Sequence, residues 1–415
     1  MWNSRVAHYV SLPLSLIVIL VVARNQWFFG DDWSILAPRL DGNVFQPHVG
    51  HWNLVPALVF PALRDLVGLT SYMPFLLLAL LVHLTVAHLL WRIMNRVGVP
   101  PWGATVASLL VMLLGAGAEN ILWAFQFGFM GAIAVGLCVV ILMDSTSLRG
   151  VRVTLIVVLA LLAPMFSGTA IPVLAAAAVV GLVRHGLLRT VLLFLPTAIS
   201  YLTWYLIFVI NGAGAVGGVS SAGGVLFALV YAGAMVAGGL GRALPYIALG
   251  IVPAIAVVAW FVLTVRRGIR GPRLPAYALC IGALVFVLLT AYARSDEGLS
   301  SAAAQRYAYV VIVLLLPALC LLVARMVAGR RRWAVATMVL LGCLVAFNLG
   351  TLEVSGEQQS GREAASRARV DATYREVAGG SATHAELSSP ADPKWAPDLL
   401  GSDLRQLARW GQFRP

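Results

Sequence analysis

Long apolar segments alternate with short polar ones through the first 350 residues of the chain. A helix needs roughly 20 apolar residues to cross the hydrocarbon core of a membrane. The pattern predicts spans at 7–23, 73–93, 102–118, 127–143, 152–166, 170–184, 190–210, 246–265, 274–293, 307–325 and 333–350. The sequence therefore predicts an all-α, polytopic membrane protein of about 11 transmembrane helices, with its two termini on opposite sides of the membrane.

Two parts of this pattern predict something other than a simple crossing. The fifth and sixth segments are short, and residues 167–169 would join them as a thin hairpin. Residues 225–242 are apolar enough to cross, but they end in the glycine-rich run 238–241. We expect an interfacial or re-entrant helix there, because a further crossing would move the basic cluster at 266–273 to the other side of the membrane.

Composition and charge agree with the membrane interpretation and exclude a soluble enzyme, a disordered protein and a fibrous one. Hydrophobic residues make up 60% of the chain and charged residues only 11%, whereas soluble domains carry about 25% charged residues. The formal net charge is +12. Most of the arginines before residue 350 fall in one alternate set of predicted loops, in which Asp144 is the only acid.

Cytoplasmic loops are the ones that collect basic residues in membrane proteins. We therefore expect a cytoplasmic N-terminus, an extracytoplasmic C-terminus and a multi-pass protein of the plasma or inner membrane. The lipid bilayer, and no nucleic acid, is the partner that this charge pattern implies.

The composition changes after residue 350, where no long apolar run follows. We divide the chain into a transmembrane domain at 1–350 and a small extracytoplasmic C-terminal appendage at 351–415. Within the appendage, residues 357–378 are rich in Ala, Glu, Gln and Arg and predict a helix. A Pro-rich stretch and a short amphipathic piece at 399–410 follow.

The first outer loop, residues 24–72, holds the strongest candidate chemistry. Its polar and aromatic candidates are Asp31 and Asp32, directly after the first span, followed by His48, His51 and Trp52. Neighbouring carboxylates repel each other, so one of them can act as a general base. Alternatively, Asp31 and Asp32 can together hold a divalent cation such as Mg²⁺ or Mn²⁺. A structural role is also open, because Asp is favoured as the N-cap of a helix.

At this loop the chain resembles the GT-C superfamily of integral-membrane glycosyltransferases, in particular its bacterial members. The resemblance rests on the sequence GDDW at 30–33, directly after the first span, and on Gly50-His51-Trp52-Asn53 followed by Pro56. It implies a donor sugar linked to a polyprenyl phosphate. The implied acceptor is a cell-envelope glycan, a lipid or a protein.

The resemblance also implies roles for the residues of the loop. Asp31 or Asp32, with Asp31 preferred, would deprotonate the acceptor hydroxyl in an inverting hexosyl or pentosyl transfer on the outer face of the membrane. His48, His51 and Trp52 would bind substrate.

Two arginines of the last outer loop are candidates for binding the phosphate of such a donor. Arg306-Tyr307, at the start of a span, is similar to an Arg-Tyr pattern in the late loops of some bacterial members, and Arg294 lies at the other end of the loop. An arginine suits this role because its planar guanidinium binds phosphate bidentately. The alternative is an interfacial anchor that pairs with Asp296 or Glu297.

A second group of candidates lies between the third and fourth predicted spans. At helical spacing Glu119, Trp123 and Gln126 would share one face, where an acid, an indole and an amide could bind a sugar. The alternative is an interfacial tryptophan with a polar cap. Residues 211–224 are Gly-rich, and we expect a flexible outer loop there that acts as a lid over the substrate site.

Two other functions stay open on the sequence alone. A membrane transporter or flippase of lipid-linked substrates would place ionisable groups in the middle of the membrane, whereas the acids here avoid the centres of the predicted spans. A non-catalytic envelope assembly factor would use the Asp pair only as a cap. The four cysteines show no metal-ligand spacing, and a divalent cation is the only cofactor that the sequence suggests.

Overall fold

A computed structural model describes residues 3–210, 222–265, 271–380 and 382–413. Its helices and strands are α1 (Ser4–Val22), α2 (Asp32–Leu36), α3 (Leu54–Val67), α4 (Met73–Val97), α5 (Pro101–Met112), α6 (Ala118–Leu122), α7 (Phe127–Met143), α8 (Val151–Phe166), α9 (Ala170–His185), α10 (Leu187–Trp204), α11 (Ala222–Arg242), α12 (Ile251–Val265), α13 (Leu274–Arg294), α14 (Gln305–Val327), α15 (Arg331–Ala378), α16 (His384–Ser388), β1 (Pro390–Asp392), β2 (Ala396–Leu400) and α17 (Gly401–Arg409). Short 3₁₀ turns lie at Pro38–Leu40, Gly115–Gly117, Ala124–Gln126, Ile247–Gly250, Ser295–Glu297 and Leu299–Ala303, and a π-helical turn at Tyr205–Ile210 extends α10.

In the described part of the chain, nine helices are long and apolar enough to cross a membrane. The chain is therefore a multi-pass membrane protein built almost wholly of helices. The two short predicted spans form α8 and α9, of 16 residues each, and residues 167–169 join them as predicted.

The predicted span 102–118 is not one straight helix. Helix α5 ends at Met112, and the chain bends by 41° before it continues into α6. Asn348 of α15 stabilises the break, because its Oδ1 accepts a hydrogen bond of 3.2 Å from the Ala116 N–H. Gly115 lies so close to α15 that a side chain there would collide with the α15 backbone. The sequence did not predict this bend, because the packing partner comes from a distant part of the sequence.

The predicted loops that hold most of the arginines meet at one end of the helix bundle. Arg184 forms an ion pair of 2.8 Å with Asp144 and donates a hydrogen bond to the Gly271 carbonyl. Arg96 donates to a backbone carbonyl near the end of α7. The loops after α4, α7 and α9 and before α13 therefore lie together, as their shared charge predicts. Residues 266–270, which belong to the same basic cluster, lie outside the described part of the chain.

Helix α11 has the length and composition of a span, whereas the sequence predicts an interfacial or re-entrant segment at 225–242. Two polar contacts locate it. The hydroxyls of Tyr231 and Ser301 are 2.8 Å apart, and Arg242, at the C-terminal end of α11, donates to the Ala303 carbonyl in the same short loop. Both contacts place α11 against the loop before α14.

Helix α15 continues without a break from the last predicted span into the C-terminal appendage and is 48 residues long. The predicted domain boundary at 350 falls inside this helix, and the helix predicted at 357–378 is its second half. After it, β1 and β2 pair as an antiparallel hairpin. The described residues are therefore not all α-helical, as the sequence predicts, but include this one small sheet. Helix α17 forms most of the amphipathic piece predicted at 399–410.

The appendage packs against the first outer loop. Arg39 forms an ion pair of 3.1 Å with Asp403 of α17, and the Leu69 N–H donates to the Gln412 carbonyl at 2.6 Å. The first outer loop is therefore held between the helix bundle and the end of the chain.

Candidate functional site

Asp31 and Asp32 face different surroundings although they are adjacent. Gly30 precedes them with a φ of 56°, which glycine adopts without strain, and its N–H donates to the Trp395 carbonyl of the appendage. The Asp31 side chain is 41% exposed and makes no capping hydrogen bond to α2. The Asp32 side chain is buried, and its Oδ2 accepts the Phe29 N–H at 3.1 Å. The capping alternative therefore does not hold for the Asp31 side chain.

The environment of Asp32 is that of a structural group. Burial raises the pKa of Asp32 to about 8, and the neighbouring charge of Asp31 acts in the same direction, while the hydrogen bond from Phe29 opposes the shift. The Tyr72 hydroxyl interacts with the same carboxyl and accepts the Ala124 N–H at 2.6 Å. Asp32 thus connects the first outer loop to α4 and to the segment that follows α6.

His48 and His51 are the ends of a tight turn. The His48 N–H donates to the His51 carbonyl at 3.1 Å, and the His51 N–H donates to the His48 carbonyl at 2.9 Å. Between them, Val49 and Gly50 have positive φ angles of 49° and 76°, as in a type I′ turn. This conformation is unfavourable for a β-branched residue such as Val49. The turn brings the His48 Nε2 to 3.5 Å from Asp31 Oδ2.

His51 lies opposite the last outer loop. Burial lowers the pKa of His51 to about 4, and the positive charges of Arg294 and His48 act in the same direction. The His51 imidazole is therefore neutral at physiological pH, with one donor and one acceptor nitrogen. His51 and Arg294 line the same cavity, so the two outer loops face a common space.

That space is a cavity of about 540 Å³, within the size range of small-ligand sites. Eight of the eleven residues that the sequence predicts for the site line this cavity: Asp31, His48, His51, Trp123, Gln126, Arg294, Arg306 and Tyr307. Its apolar and aromatic wall includes Phe125, Phe129, Tyr201, Tyr205, Phe286 and Leu289. The structure therefore joins the candidates of three separate loops in one cavity.

Both arginines of the cavity have acidic partners. Arg306 forms an ion pair of 2.8 Å with Glu119, and its backbone N–H also donates to that carboxylate at 3.3 Å. Arg294 forms an ion pair of 2.8 Å with Glu297, which is one of the acids named in the anchor alternative. Arg306 lines the cavity and Glu119 does not, so Glu119 pairs with Arg306 from outside the cavity lining.

Three predicted site residues do not line the cavity. Asp32 is buried in the loop, and Glu119 pairs with Arg306 as described. Trp52 stacks on Trp204 with ring centroids 5.4 Å apart and lies behind the cavity wall. The predicted helical face of Glu119, Trp123 and Gln126 is also wrong, because α6 ends at Leu122 and Trp123 is extended, with φ −112° and ψ 115°.

Some lining residues were missed at the sequence level. Tyr201 and Tyr205 reach the cavity from the end of α10 and its π-helical turn, and their spacing of four at the end of a span was an available signal. Asn53 belongs to the motif that carries the family resemblance, yet its own role was not predicted. Residues 211–221 of the predicted lid lie outside the described part of the chain.

The residues present do not fit a divalent cation held by Asp31 and Asp32 together. The Asp32 carboxyl is buried and engaged by Phe29, while Asp31 faces the cavity. Among the described residues, no group of three or more His, Cys, Asp or Glu side chains is placed to hold a metal ion.

Comparison of the chain with protein-family models, with curated proteins and with solved structures finds no match. The chemistry of the cavity and the resemblance of the GDDW loop are therefore the grounds on which a function can be proposed.

Proposed function

We propose that this protein transfers a hexose or pentose from a polyprenyl-phosphate donor to a cell-envelope acceptor, with inversion at the anomeric carbon. The reaction would take place at the outer face of the plasma or inner membrane. The observation that supports this proposal most strongly is one cavity lined by a carboxylate, Asp31, and by two guanidinium groups, Arg294 and Arg306. Such a reaction requires a base for the acceptor hydroxyl and a cation for the departing phosphate.

In the proposed reaction, the acceptor oxygen forms a bond to the anomeric carbon while the bond from that carbon to the phosphate oxygen breaks. The electron pair of the broken bond stays on the polyprenyl phosphate, and Arg306 and Arg294 stabilise the added negative charge. The acceptor proton goes to the Asp31 carboxylate and from there to solvent. His48, 3.5 Å from Asp31, orients that carboxylate.

The remaining lining suits the two parts of such a donor. Gln126 and the neutral imidazole of His51 offer hydrogen-bond donors and acceptors to sugar hydroxyls, and Trp123 offers a flat apolar face. Phe286 and Leu289 of α13 are apolar groups suited to the first isoprene units of the lipid.

The test uses the protein purified into liposomes and a panel of radiolabelled polyprenyl-phosphate hexoses and pentoses. Release of polyprenyl phosphate and transfer of label to envelope material are measured for the wild type, for Asp31→Asn and for Asp32→Asn. General-base catalysis contributes about 10²- to 10⁴-fold, so Asp31→Asn should lose activity by that factor. Asp32→Asn is the matched control and should retain most of the activity, because its neutral amide replaces a carboxyl that is buried away from the cavity.

Full activity in Asp31→Asn would overturn the role of this carboxylate. Movement of a lipid-linked sugar across the liposome membrane, without release of polyprenyl phosphate, would instead identify a transporter.

A further inference from the structure

Three arginines form a cluster at the end of the bundle where the arginine-rich loops meet. Arg92 and Arg96 are one turn apart near the C-terminal end of α4, and Arg152 lies in the first turn of α8. The charges of Arg92 and Arg152 both act on Arg96, so the three guanidinium groups are neighbours. Arg92 and Arg96 are exposed, and an anion at this surface can therefore reach them.

Within the described part of the chain, no carboxylate forms an ion pair with any of these three arginines. Asp144 is the only acid in the neighbouring loops, and Arg184 forms an ion pair of 2.8 Å with it. Arg96 donates instead to a backbone carbonyl of α7, and Arg152 to one in the loop before α8. These bonds hold the two side chains in place and leave most of their N–H donors available.

The exposed stripe of α4 leads from this cluster into the membrane. Leu77, Leu81 and Thr85 recur at a spacing of one turn and are exposed, and the same stripe continues to Arg92. From Arg92 to Leu81 the helix rises by about 16–17 Å at 1.5 Å per residue, which is about half of the hydrocarbon thickness of a bilayer. A phospholipid with its headgroup at Arg92 would therefore extend its acyl chains as far as Leu81.

Helix α7 forms the floor of a groove between α4 and α8, since it packs against both. Its partly exposed stripe consists of Val135, Cys138 and Leu142. The charge of Arg92 acts on the Cys138 thiol, so this stripe begins beside the cluster. On the other side of the groove, the exposed Leu155 follows Arg152 by one turn. The groove is thus apolar along its length and basic at one end.

We propose that Arg92, Arg96 and Arg152 bind the phosphate of an anionic phospholipid whose acyl chains lie in the groove along α7. An arginine suits this role because its guanidinium binds phosphate bidentately, and basic pockets between spans are typical sites for anionic headgroups. The charge pattern predicts that this end is cytoplasmic, so the lipid belongs to the inner leaflet. Topology accounts for the side on which the arginines lie, but it does not require three of them to share one groove without an acid.

This inference does not depend on the proposed transfer reaction, whose cavity lies among the outer loops. The test uses the full chain in a neutral detergent and three probes: dioleoylphosphatidylglycerol, dioleoylphosphatidylcholine and glycerol phosphate. Phosphatidylcholine has the same acyl chains without a net charge, and glycerol phosphate has the charge without the chains. The rise in Tm against probe concentration gives an apparent Kd, and native mass spectrometry counts the lipids that stay bound.

Two variants remove charge from the cluster. Arg92→Gln removes no described contact, and in Arg92→Gln/Arg96→Gln the new amide at position 96 can still donate to the carbonyl of α7. The control, Arg331→Gln/Arg332→Gln, removes the same charge from two exposed arginines at the start of α15, which are predicted to lie on the same side of the membrane. The Tm without added lipid shows whether each variant is folded.

We expect phosphatidylglycerol to bind the wild type and the control at least tenfold more tightly than either of the other probes. The apparent Kd for phosphatidylglycerol should rise at least tenfold in Arg92→Gln/Arg96→Gln and about fivefold in Arg92→Gln, because each arginine near a membrane surface contributes separately to the attraction. The control should stay within twofold of the wild type.

Four results would overturn the inference. Equal binding of glycerol phosphate would indicate a site for free phosphate, and equal binding of phosphatidylcholine would indicate an apolar groove alone. An equal loss in the control would show a diffuse attraction to this end of the protein. Binding of a polyglutamate peptide, with none of phosphatidylglycerol, would identify an acidic protein as the partner.

Discussion

The first outer loop has two faces, and their polar groups differ in exposure and in hydrogen-bond partners. On the cavity face, Asp31 is 41% exposed and His48 Nε2 is the nearest described basic group. On the packed face, Asp32 is 1% exposed and accepts the Phe29 N–H, and the Trp27 N–H donates to Glu363 of α15 at 2.7 Å. An exposed carboxylate marks the face that can do chemistry, and a buried one marks the face that holds the loop in place.

The packed face is an aromatic core that joins the first outer loop to α15. Trp27, Phe28 and Trp33 are buried, and the guanidinium of Arg367 lies 5.7 Å from the ring centroid of Trp27. Substitutions on the two faces should therefore separate activity from stability.

The largest difference in kcat/KM is expected between substitutions of the arginines on the two faces. Arg306→Ala removes a charged hydrogen-bond donor from the cavity, and a loss of about 10- to 100-fold in kcat/KM for the donor should follow. Arg306→Lys should recover only part of it, because an ammonium lacks the planar fork. The control, Arg367→Ala on the packed face, should leave kcat/KM within twofold. Equal losses in the Arg306 and Arg367 variants would show that the two faces are not distinct.

A smaller effect on stability, with little on activity, is expected at Glu363. Glu363→Ala leaves the Trp27 N–H without its acceptor, and an unsatisfied buried donor costs about 1–3 kcal/mol. Thermal unfolding followed by tryptophan fluorescence should therefore show a lower Tm, while the kcat of the folded fraction stays within threefold. Glu363→Gln should be close to wild type, since its amide oxygen can accept the same N–H and Gln359 can rotate its own amide. A wild-type Tm in Glu363→Ala would contradict the assignment.

The pH dependence of stability should show whether Asp32 is protonated in the native state. The pKa of Asp32 is raised from 3.8 to about 8 by burial, so the native state keeps a proton that the unfolded chain releases as the pH rises. Stability should therefore fall between about pH 4 and pH 8 because of this group. Asp32→Asn removes the contribution, and its Tm should fall less over this window than that of the wild type. Parallel Tm curves for the two proteins would exclude a protonated Asp32.

The smallest effect is expected at the turn between the histidines. Val49→Asn places Asn-Gly in a type I′ turn, the dipeptide that this turn prefers. Because a β-branched residue in the left-handed region is strained, the variant should be more stable by about 1 kcal/mol, measured as a higher Tm. Val49 is 54% exposed, so little burial is lost and activity should stay within twofold. A lower Tm would mean that the valine side chain has a role of its own at the cavity.

Much of the helix pattern could be predicted from the sequence, because a membrane span is encoded locally by the length of an apolar segment. The hairpin of α8 and α9 could be predicted for this reason. The break after α5 could not, since it depends on Asn348 of α15, and local hydrophobicity contains no information about a partner so far along the chain.

The candidate site was predictable in its residue types and less so in its geometry. Asp31 and Arg306 stand out as polar groups next to apolar spans, and both line the cavity. Trp52 has the same kind of sequence context, yet it packs against Trp204. Glu119 was grouped with Trp123 by helical spacing, which fails because the helix ends between them. The side that a polar residue faces is decided by tertiary packing.

The long helix α15 also has a consequence for the order in which the protein is made. The Trp27 N–H donates a hydrogen bond to Glu363, 336 residues later in the chain. The Gly30 N–H donates a hydrogen bond to the Trp395 carbonyl. During synthesis the first outer loop therefore leaves the ribosome with its aromatic side chains uncovered and its turn incomplete. The packed face of the loop is therefore completed only after α15 and the appendage have been synthesised.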